Sequence, residues 1–181
     1  MTPIMPRQTV MRSVRISREL DGILRKEAER RGVSVNSLVS EIFTKYSEWD
    51  RFADRFGMVT FPRQGYRKMW ELFNKDQVID FGKYAGSRTA SEVVQFWFKK
   101  LNTQTLLKLV ALYAKYSKTY EYELGDTGGR EYVITMHHEI NERYSIFLAN
   151  YFEEAVKAIV GVTPKIDIGI NSVVITFKEP L

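Results

Sequence analysis

Hydrophobic and polar residues alternate along residues 10–17, VMRSVRIS, and such alternation is typical of a short strand. The strand is predicted over Met11 to Ser17. Its apolar face is formed by Val10, Val14 and Ile16, and its polar face by Met11, Ser13 and Arg15. One short strand is not stable alone, so it needs a partner strand. We expect that partner to be the same segment of a second chain.

The period then changes to that of a helix, which is predicted from about Arg18 to Arg31. Its apolar stripe recurs every three or four residues at Leu20, Ile23, Leu24 and Ala28. Ser17 is a suitable N-cap, and Gly32 can take the left-handed conformation that ends a helix.

A second helix is predicted to begin after Ser34, which can cap it and leave the backbone N–H groups of Val35, Asn36 and Ser37 unpaired. Apolar residues continue at alternating spacings of three and four up to Gly57, which predicts a helix of about 22 residues. The first half of this helix belongs to a dimer core. The second half either extends the dimer or packs against the following domain.

The order of strand, helix, glycine turn and helix, with RELDGILRKEAERRGVSVNSLVSEIF at its centre, resembles the ribbon-helix-helix family of DNA-binding proteins. The resemblance covers residues 10–46. It implies an intertwined homodimer, alone or within a higher oligomer, that binds double-stranded DNA. The two strands form an antiparallel ribbon that enters the major groove.

The resemblance also implies which residues contact the DNA. Base edges would be read by Met11, Ser13 and Arg15. Phosphates would be bound by Arg12, Ser34, Val35 and Asn36, the last three at the start of the second helix. Arginine can donate two hydrogen bonds to guanine. Met11 departs from this chemistry, because its apolar side chain reads hydrogen bonds poorly. Arg12 alternates in step with Val10, Val14 and Ile16, so its position is on the apolar face of the predicted strand.

A domain boundary is predicted at residues 57–62, GMVTFP, where a helix stop precedes a proline. The first domain is then residues 1–57, with a flexible arm at residues 1–9 that contains Arg7, and the second domain is residues 58–181. Three helices are predicted in the second domain, over Gln64–Asn74, Thr89–Leu101 and Thr103–Lys118. Thr89 or Ser91 would cap the middle one. Between the first two, Gly82 and Gly86 break the pattern and leave room for one short helix.

Alternation returns around the loop GDTGG, from Tyr120 to Leu124 and from Arg130 to His137, and predicts a hairpin. A helix over Asn141–Val160 and a second hairpin, Lys165–Ile170 with Val173–Phe177, follow. This hairpin-helix-hairpin order predicts an α+β domain of three or four helices and a four-stranded antiparallel sheet. The alternative for the opening strand is that it joins this sheet within one chain.

Composition adds constraints to this picture. The net charge is +5, and residues 1–33 hold eight basic residues against four acidic ones, so most of the excess lies there. A basic segment of this kind is compatible with nucleic acid. Cysteine is absent, which favours a reducing cytoplasm. No membrane span or signal peptide is expected, because the sequence has no apolar run of suitable length.

Candidate chemistry is sparse. Histidine occurs only in His137-His138-Glu139, which we interpret as a strand-to-helix corner with a metal or haem site as the alternative. No spacing suggests catalytic, cofactor-binding or metal-binding residues, so an enzyme is not expected. The aromatic residues are typical of a core. The alternative is that they line a ligand pocket. The residues concerned are Trp70, Phe96, Trp97, Tyr113, Tyr120, Tyr122, Tyr132, Tyr144 and Tyr151.

These observations predict a homodimeric, sequence-specific DNA-binding transcription regulator. Its C-terminal domain would serve oligomerisation or the sensing of a small-molecule effector. One alternative is an antitoxin-like or plasmid-maintenance protein whose C-terminal domain binds a partner protein. The other is a C-terminal domain that binds a ligand or catalyses a reaction, with DNA binding secondary.

Overall fold

The computed structural model describes residues 10–126 and 128–180. It divides the chain into two compact units, with the division between Lys45 and Tyr46. The predicted flexible arm at residues 1–9, including Arg7, lies outside the described residues. The division precedes the boundary predicted at residues 57–62, because residues 46–56 pack with the C-terminal residues.

The first unit contains two helices, α1 (Arg18–Arg31) and α2 (Val35–Lys45). The Ser17 side chain accepts a hydrogen bond from the Leu20 N–H and caps α1. Gly32 has a φ of 64°, and its N–H bonds back to the last turn of α1. Both helix starts and the glycine turn are confirmed, because capping and turn chemistry are local properties of the sequence.

The strand predicted over Met11 to Ser17 is absent from the single chain: residues 10–17 have no regular secondary structure. A strand is defined by its hydrogen-bond ladder, and the described part of this chain offers the segment no ladder. The alternative that it joins the later sheet is wrong, since the four strands of that sheet lie between Glu121 and Lys178.

The second unit opens with a π-helical segment, Tyr46–Asp50, followed by α3 (Arg51–Phe56). The regular helix predicted to continue to Gly57 is therefore interrupted, although it ends there as predicted, with a φ of 82° at Gly57. Trp49, Phe52 and Phe56 pack against the core of the second unit. The second half of the predicted helix thus serves as packing surface for the following domain.

Four further helices precede the sheet, and they are α4 (Arg63–Leu72), α5 (Lys75–Tyr84), α6 (Ala90–Phe98) and α7 (Thr103–Ser117). A second π-helical segment, Ala85–Thr89, joins α5 to α6 without a loop. The expected cap at Thr89 or Ser91 is wrong, because Thr89 is itself helical and its side chain makes no capping bond.

Gly82 and Gly86 were predicted to break the helical pattern, but they do not form loops. Both are buried inside this helical stretch, where they face α8 (Glu142–Val160). A β-carbon on Gly82 would lie 2.8 Å from the Asn150 Cβ, and one on Gly86 would overlap the Tyr151 carbonyl oxygen. These glycines therefore allow two backbones to approach closely.

The strands are β1 (Glu121–Asp126), β2 (Glu131–His137), β3 (Lys165–Ile168) and β4 (Ser172–Lys178). They form one antiparallel sheet in the order β1-β2-β4-β3. Both hairpins and the helix between them are confirmed, and the second unit is an α+β fold. Ile134 of β2 lies opposite Ile175 of β4, so the central strands share one apolar face.

That face and α8 form the centre of the core. Ile134, Met136, Val173 and Ile175 are fully buried on the sheet, and Ala155 and Val156 are fully buried on α8. In the described part of the chain, no helix has both the length and the apolar character needed to cross a membrane.

Candidate functional site

The residues predicted to read bases lie at the surface of the first unit. Met11, Ser13 and Arg15 are all exposed, and Met11 is 91% exposed. Arg12, predicted to bind phosphate, is exposed as well. The structure brings these four residues together only as neighbours along one segment without regular secondary structure.

Apolar side chains of the same unit are also exposed. Val14 is 67% exposed and Ile23 57%. Six others exceed 40%, and they are Val10, Met11, Ile16, Leu20, Ile42 and Phe43. Among the described residues of this unit, only Ala28 and Leu38 are buried. Of the apolar stripe on α1, only Ala28 is buried by the described residues, and Leu20 and Ile23 remain exposed.

Some of the positive charges in the first unit form ion pairs with carboxylates, and others, near the opening segment and at the start of α1, do not. Arg25 bonds to Asp21 at 2.7 Å, Arg30 to Glu27 at 2.6 Å, and Arg31 to Glu41. By contrast, Arg12, Arg15 and Arg18 form no ion pair with any described residue. The positive charges of these three residues, which lie close together in sequence, therefore remain available to a partner molecule.

The start of α2 retains part of the predicted anion site. The Ser34 Oγ accepts a hydrogen bond from the Ser37 N–H at 3.0 Å, so the expectation that this N–H is free is wrong. The N–H groups of Val35 and Asn36 donate to no described residue. Two backbone donors at a positive helix end therefore remain for an anion.

In the second unit, the histidine pair forms the predicted corner between β2 and α8. His137 is exposed and His138 is buried. The Ile140 N–H donates to His138 Nδ1 at 3.3 Å, so the proton sits on Nε2, which bonds to the Ser145 Oγ at 2.8 Å. Ser145 in turn donates to the Ile170 carbonyl at 2.9 Å. This chain of bonds ties together β2, α8 and the turn before β4.

Burial lowers the pKa of His138 to about 4, and the neighbouring His137 contributes in the same direction. His138 is therefore neutral at pH 7 and structural in its contacts. Among the described residues, no three histidine, aspartate or glutamate side chains come together as a metal site.

A cavity of about 230 Å³ lies inside the second unit, among α4, α7, α8 and the Ala85–Thr89 segment. Aromatic rings dominate its wall, and the tyrosines are Tyr66, Tyr113, Tyr120, Tyr144 and Tyr151. Ser117 and Thr119 add hydroxyl groups. The described side chains that line it carry no formal charge.

The sequence named part of this wall. Tyr113, Tyr120, Tyr144 and Tyr151 were candidates for a pocket, and all four line the cavity. The other five candidates do not line it, and they are Trp70, Phe96, Trp97, Tyr122 and Tyr132. Tyr66 and Phe147 were missed, because a tyrosine in an apolar helix stripe gives the same pattern whether it fills a core or borders a cavity.

Burial also sets the chemistry of these phenols. It raises the pKa of Tyr113 to about 12, and it raises the pKa of Tyr144 and that of Tyr151 well above the usual tyrosine value. Neighbouring tyrosines add to the shift, since a second phenolate nearby would be repelled. The hydroxyls are therefore protonated at pH 7 and can donate and accept hydrogen bonds.

The molecule is thus a chain with a small helical first unit and an α+β second unit that encloses a tyrosine-lined cavity. Comparison with protein-family models, with characterised proteins and with solved structures finds no match.

Proposed function

We propose that the chain is a homodimeric, sequence-specific DNA-binding transcription regulator. The observation that carries the proposal is the segment of residues 10–17, which is exposed, has no partner strand among the described residues, and is alternately apolar and polar. Its position immediately before a capped helix, a glycine turn and a second capped helix supports the ribbon-helix-helix resemblance.

The case for a dimer rests on burial. A unit that buries only Ala28 and Leu38 among its described residues has too small a core to offset the entropy of folding. A second copy would cover Val14 and Ile16 on the strands, and Ile23 and Ile42 on the helices. Pairing of the two opening segments would also satisfy backbone groups that lack partners within one chain.

The case for DNA rests on charge and on chemistry. Arg12, Arg15 and Arg18 form no ion pair with described residues, so they can neutralise phosphates or donate to bases. In the proposed complex, Met11, Ser13 and Arg15 face the base edges in the major groove. Arg12 and the start of α2, with Ser34, Val35 and Asn36, hold phosphates.

The test uses the intact protein and has two parts. Sedimentation should give a dimer or a multiple of it in the absence of DNA. Genome-wide mapping of bound sites should recover a short recurring sequence with two half-sites. A monomer, or occupancy without any recurring sequence, would refute the proposal.

The second unit would provide oligomerisation or effector sensing, in the cytoplasm that the lack of cysteine favours. Its folded core distinguishes it from the short disordered segments that many antitoxins use to cover a partner. Purification from the native source tests the antitoxin alternative, because a tightly bound partner protein would appear at equal amounts.

A further inference from the structure

One wall of the tyrosine-lined cavity is formed by the π-helical segment Ala85–Thr89. Ala85 and Thr89, the first and last residues of the π-helical segment, both line it. Segments of this kind occur frequently at functional sites. Gly86, between them, is pressed against the backbone of Tyr151. The segment is thereby anchored to α8, while its small residues leave the space beside Tyr113 and Tyr151 open.

The electrostatics of the cavity select against charge. None of the described side chains that line it is ionised at pH 7, and the burial that raises the pKa of the tyrosines would also penalise an ionised ligand. No carboxylate lines the wall to compensate a cation, and no lysine or arginine lines it to compensate an anion. The occupant that fits is therefore neutral.

The size and the rings define the shape of this occupant. A cavity of about 150 Å³ holds benzene, so 230 Å³ accommodates a larger ring system. Tyr144 and Phe147 stand nearly parallel, with ring centres 5.8 Å apart, and Phe147 is tilted toward Tyr151 at 5.7 Å. Aromatic rings in the wall can contact an aromatic ligand in either offset-stacked or edge-to-face geometry.

The hydroxyl groups supply the polar contacts. Tyr120 donates to the Val110 carbonyl at 3.2 Å, and Ser117 donates to the Tyr113 carbonyl at 2.6 Å. The hydroxyls of Tyr113 and Tyr151 have no hydrogen-bond partner within the described part of the chain. Each of these hydroxyls can therefore form a hydrogen bond with an oxygen or nitrogen of a ligand in the cavity.

We propose that the cavity binds a neutral fused-ring aromatic molecule carrying one hydrogen-bonding group, which the hydroxyls of Tyr113 and Tyr151 hold. This binding is independent of the proposed DNA-binding function, and its test contains no DNA, so the two proposals fail separately.

The test titrates the full-length protein at pH 7 with naphthol, naphthoate and naphthylmethylammonium, substituted at the same ring position. Calorimetry and thermal unfolding provide the two measurements. We expect naphthol to bind one-to-one and to raise the melting temperature. The two charged relatives should bind at least about tenfold more weakly, because nothing in the cavity compensates their charge. Equal affinity for all three, or no binding of naphthol at millimolar concentration, overturns the proposal.

Variants locate the binding in the cavity. Tyr151→Phe removes one hydroxyl and should weaken naphthol binding about fivefold, the contribution of one hydrogen bond. Tyr84→Phe is the matched control, since Tyr84 is 58% exposed and does not line the cavity. Ala85→Leu should fill the space and abolish binding. Wild-type affinity in both Tyr151→Phe and a folded Ala85→Leu protein would place the ligand elsewhere and refute the proposal.

Discussion

Gly86 lies so close to the main-chain carbonyl of Tyr151 that any side chain at residue 86 would overlap that oxygen. The contact joins the π-helical segment to α8, and neither backbone can move without disturbing the core of the second unit. We expect Gly86→Ala to lower the free energy of unfolding by about 1–3 kcal/mol, as overpacking of a core does. Urea denaturation followed by tryptophan fluorescence measures the loss.

The control for this prediction is the neighbouring residue. Ser87 belongs to the same segment, is exposed, and donates only to the Tyr84 carbonyl. Ser87→Ala should change stability by less than about 0.5 kcal/mol. A Gly86→Ala protein as stable as the Ser87→Ala protein would contradict the prediction, because the higher helix propensity of alanine stabilises both variants and only the close approach to Tyr151 opposes it at residue 86.

The buried His138 predicts acid sensitivity. Its pKa is about 4 in the folded protein, against 6.5 for a free histidine, so the unfolded state binds the proton more readily. Stability is therefore complete above pH 6.5 and is lost as the pH falls from 6.5 toward 4. At pH 5 the loss amounts to about 2 kcal/mol.

Denaturation of the second unit at pH 7 and at pH 5 tests this dependence. His138→Gln should be less stable at pH 7, because it disrupts the bonds to Ser145 and Ile140, but its stability should change less between the two pH values. His137→Gln, which alters the exposed histidine of the pair, should retain most of the wild-type dependence, because burial is the larger cause of the lowered His138 pKa and His137 the smaller one. The explanation fails if His138→Gln responds to acid as the wild type does.

Dimer formation through the opening segment predicts that Val14→Asp is disruptive. Val14 is 67% exposed in one chain, so a monomer would tolerate the change. In a paired ribbon the aspartate would instead be buried without a partner, and we expect dissociation and loss of helix in the first unit. Sedimentation and circular dichroism without DNA report both effects.

Met11→Asp is the matched control, since it introduces the same charge on the opposite face of the predicted strand. It should leave the dimer intact while weakening DNA binding. Dimers of unchanged stability in the Val14→Asp protein would contradict the proposed ribbon.

Base reading by Arg15 predicts a loss of discrimination. Arg15→Ala should reduce the preference for the recovered site over random DNA by about tenfold or more, the effect of one bidentate arginine–guanine contact. General affinity should fall less. Arg25→Ala serves as control, because Arg25 is already paired with Asp21 on α1.

Gel-shift titrations at several salt concentrations separate the two effects, since the phosphate contribution weakens steeply with salt. If Arg15→Ala and Ser13→Ala both bind the site with wild-type affinity and preference, the groove-reading geometry is refuted.

The sequence predicts the elements that local chemistry determines. Ser17, Gly32 and Ser34 mark helix ends by capping, and the alternation around GDTGG marks a hairpin. The prediction from sequence is wrong at Gly82 and Gly86, because a glycine that lets two helices come into contact gives the same sequence pattern as a glycine that ends a helix. Only the distant residues Asn150 and Tyr151 distinguish the two cases.

The candidate sites likewise divide into features that local sequence determines and features that depend on distant residues. The exposure of Arg15 and the capping by Ser34 follow from the order of residues along the chain. The cavity does not, because its wall combines Tyr66, Tyr113 and Tyr151 from three helices that are far apart in sequence. The period of each helix shows which side is buried and does not show whether the space there is filled.

The division between Lys45 and Tyr46 gives this chain a built-in spectroscopic label. All three tryptophans and all ten tyrosines follow that point, so the ultraviolet emission of the protein arises from the second unit alone. Helical circular dichroism arises from both. Dilution that separates two copies of the first unit should therefore reduce ellipticity without changing the emission, and the difference between the two signals reports assembly without any added dye.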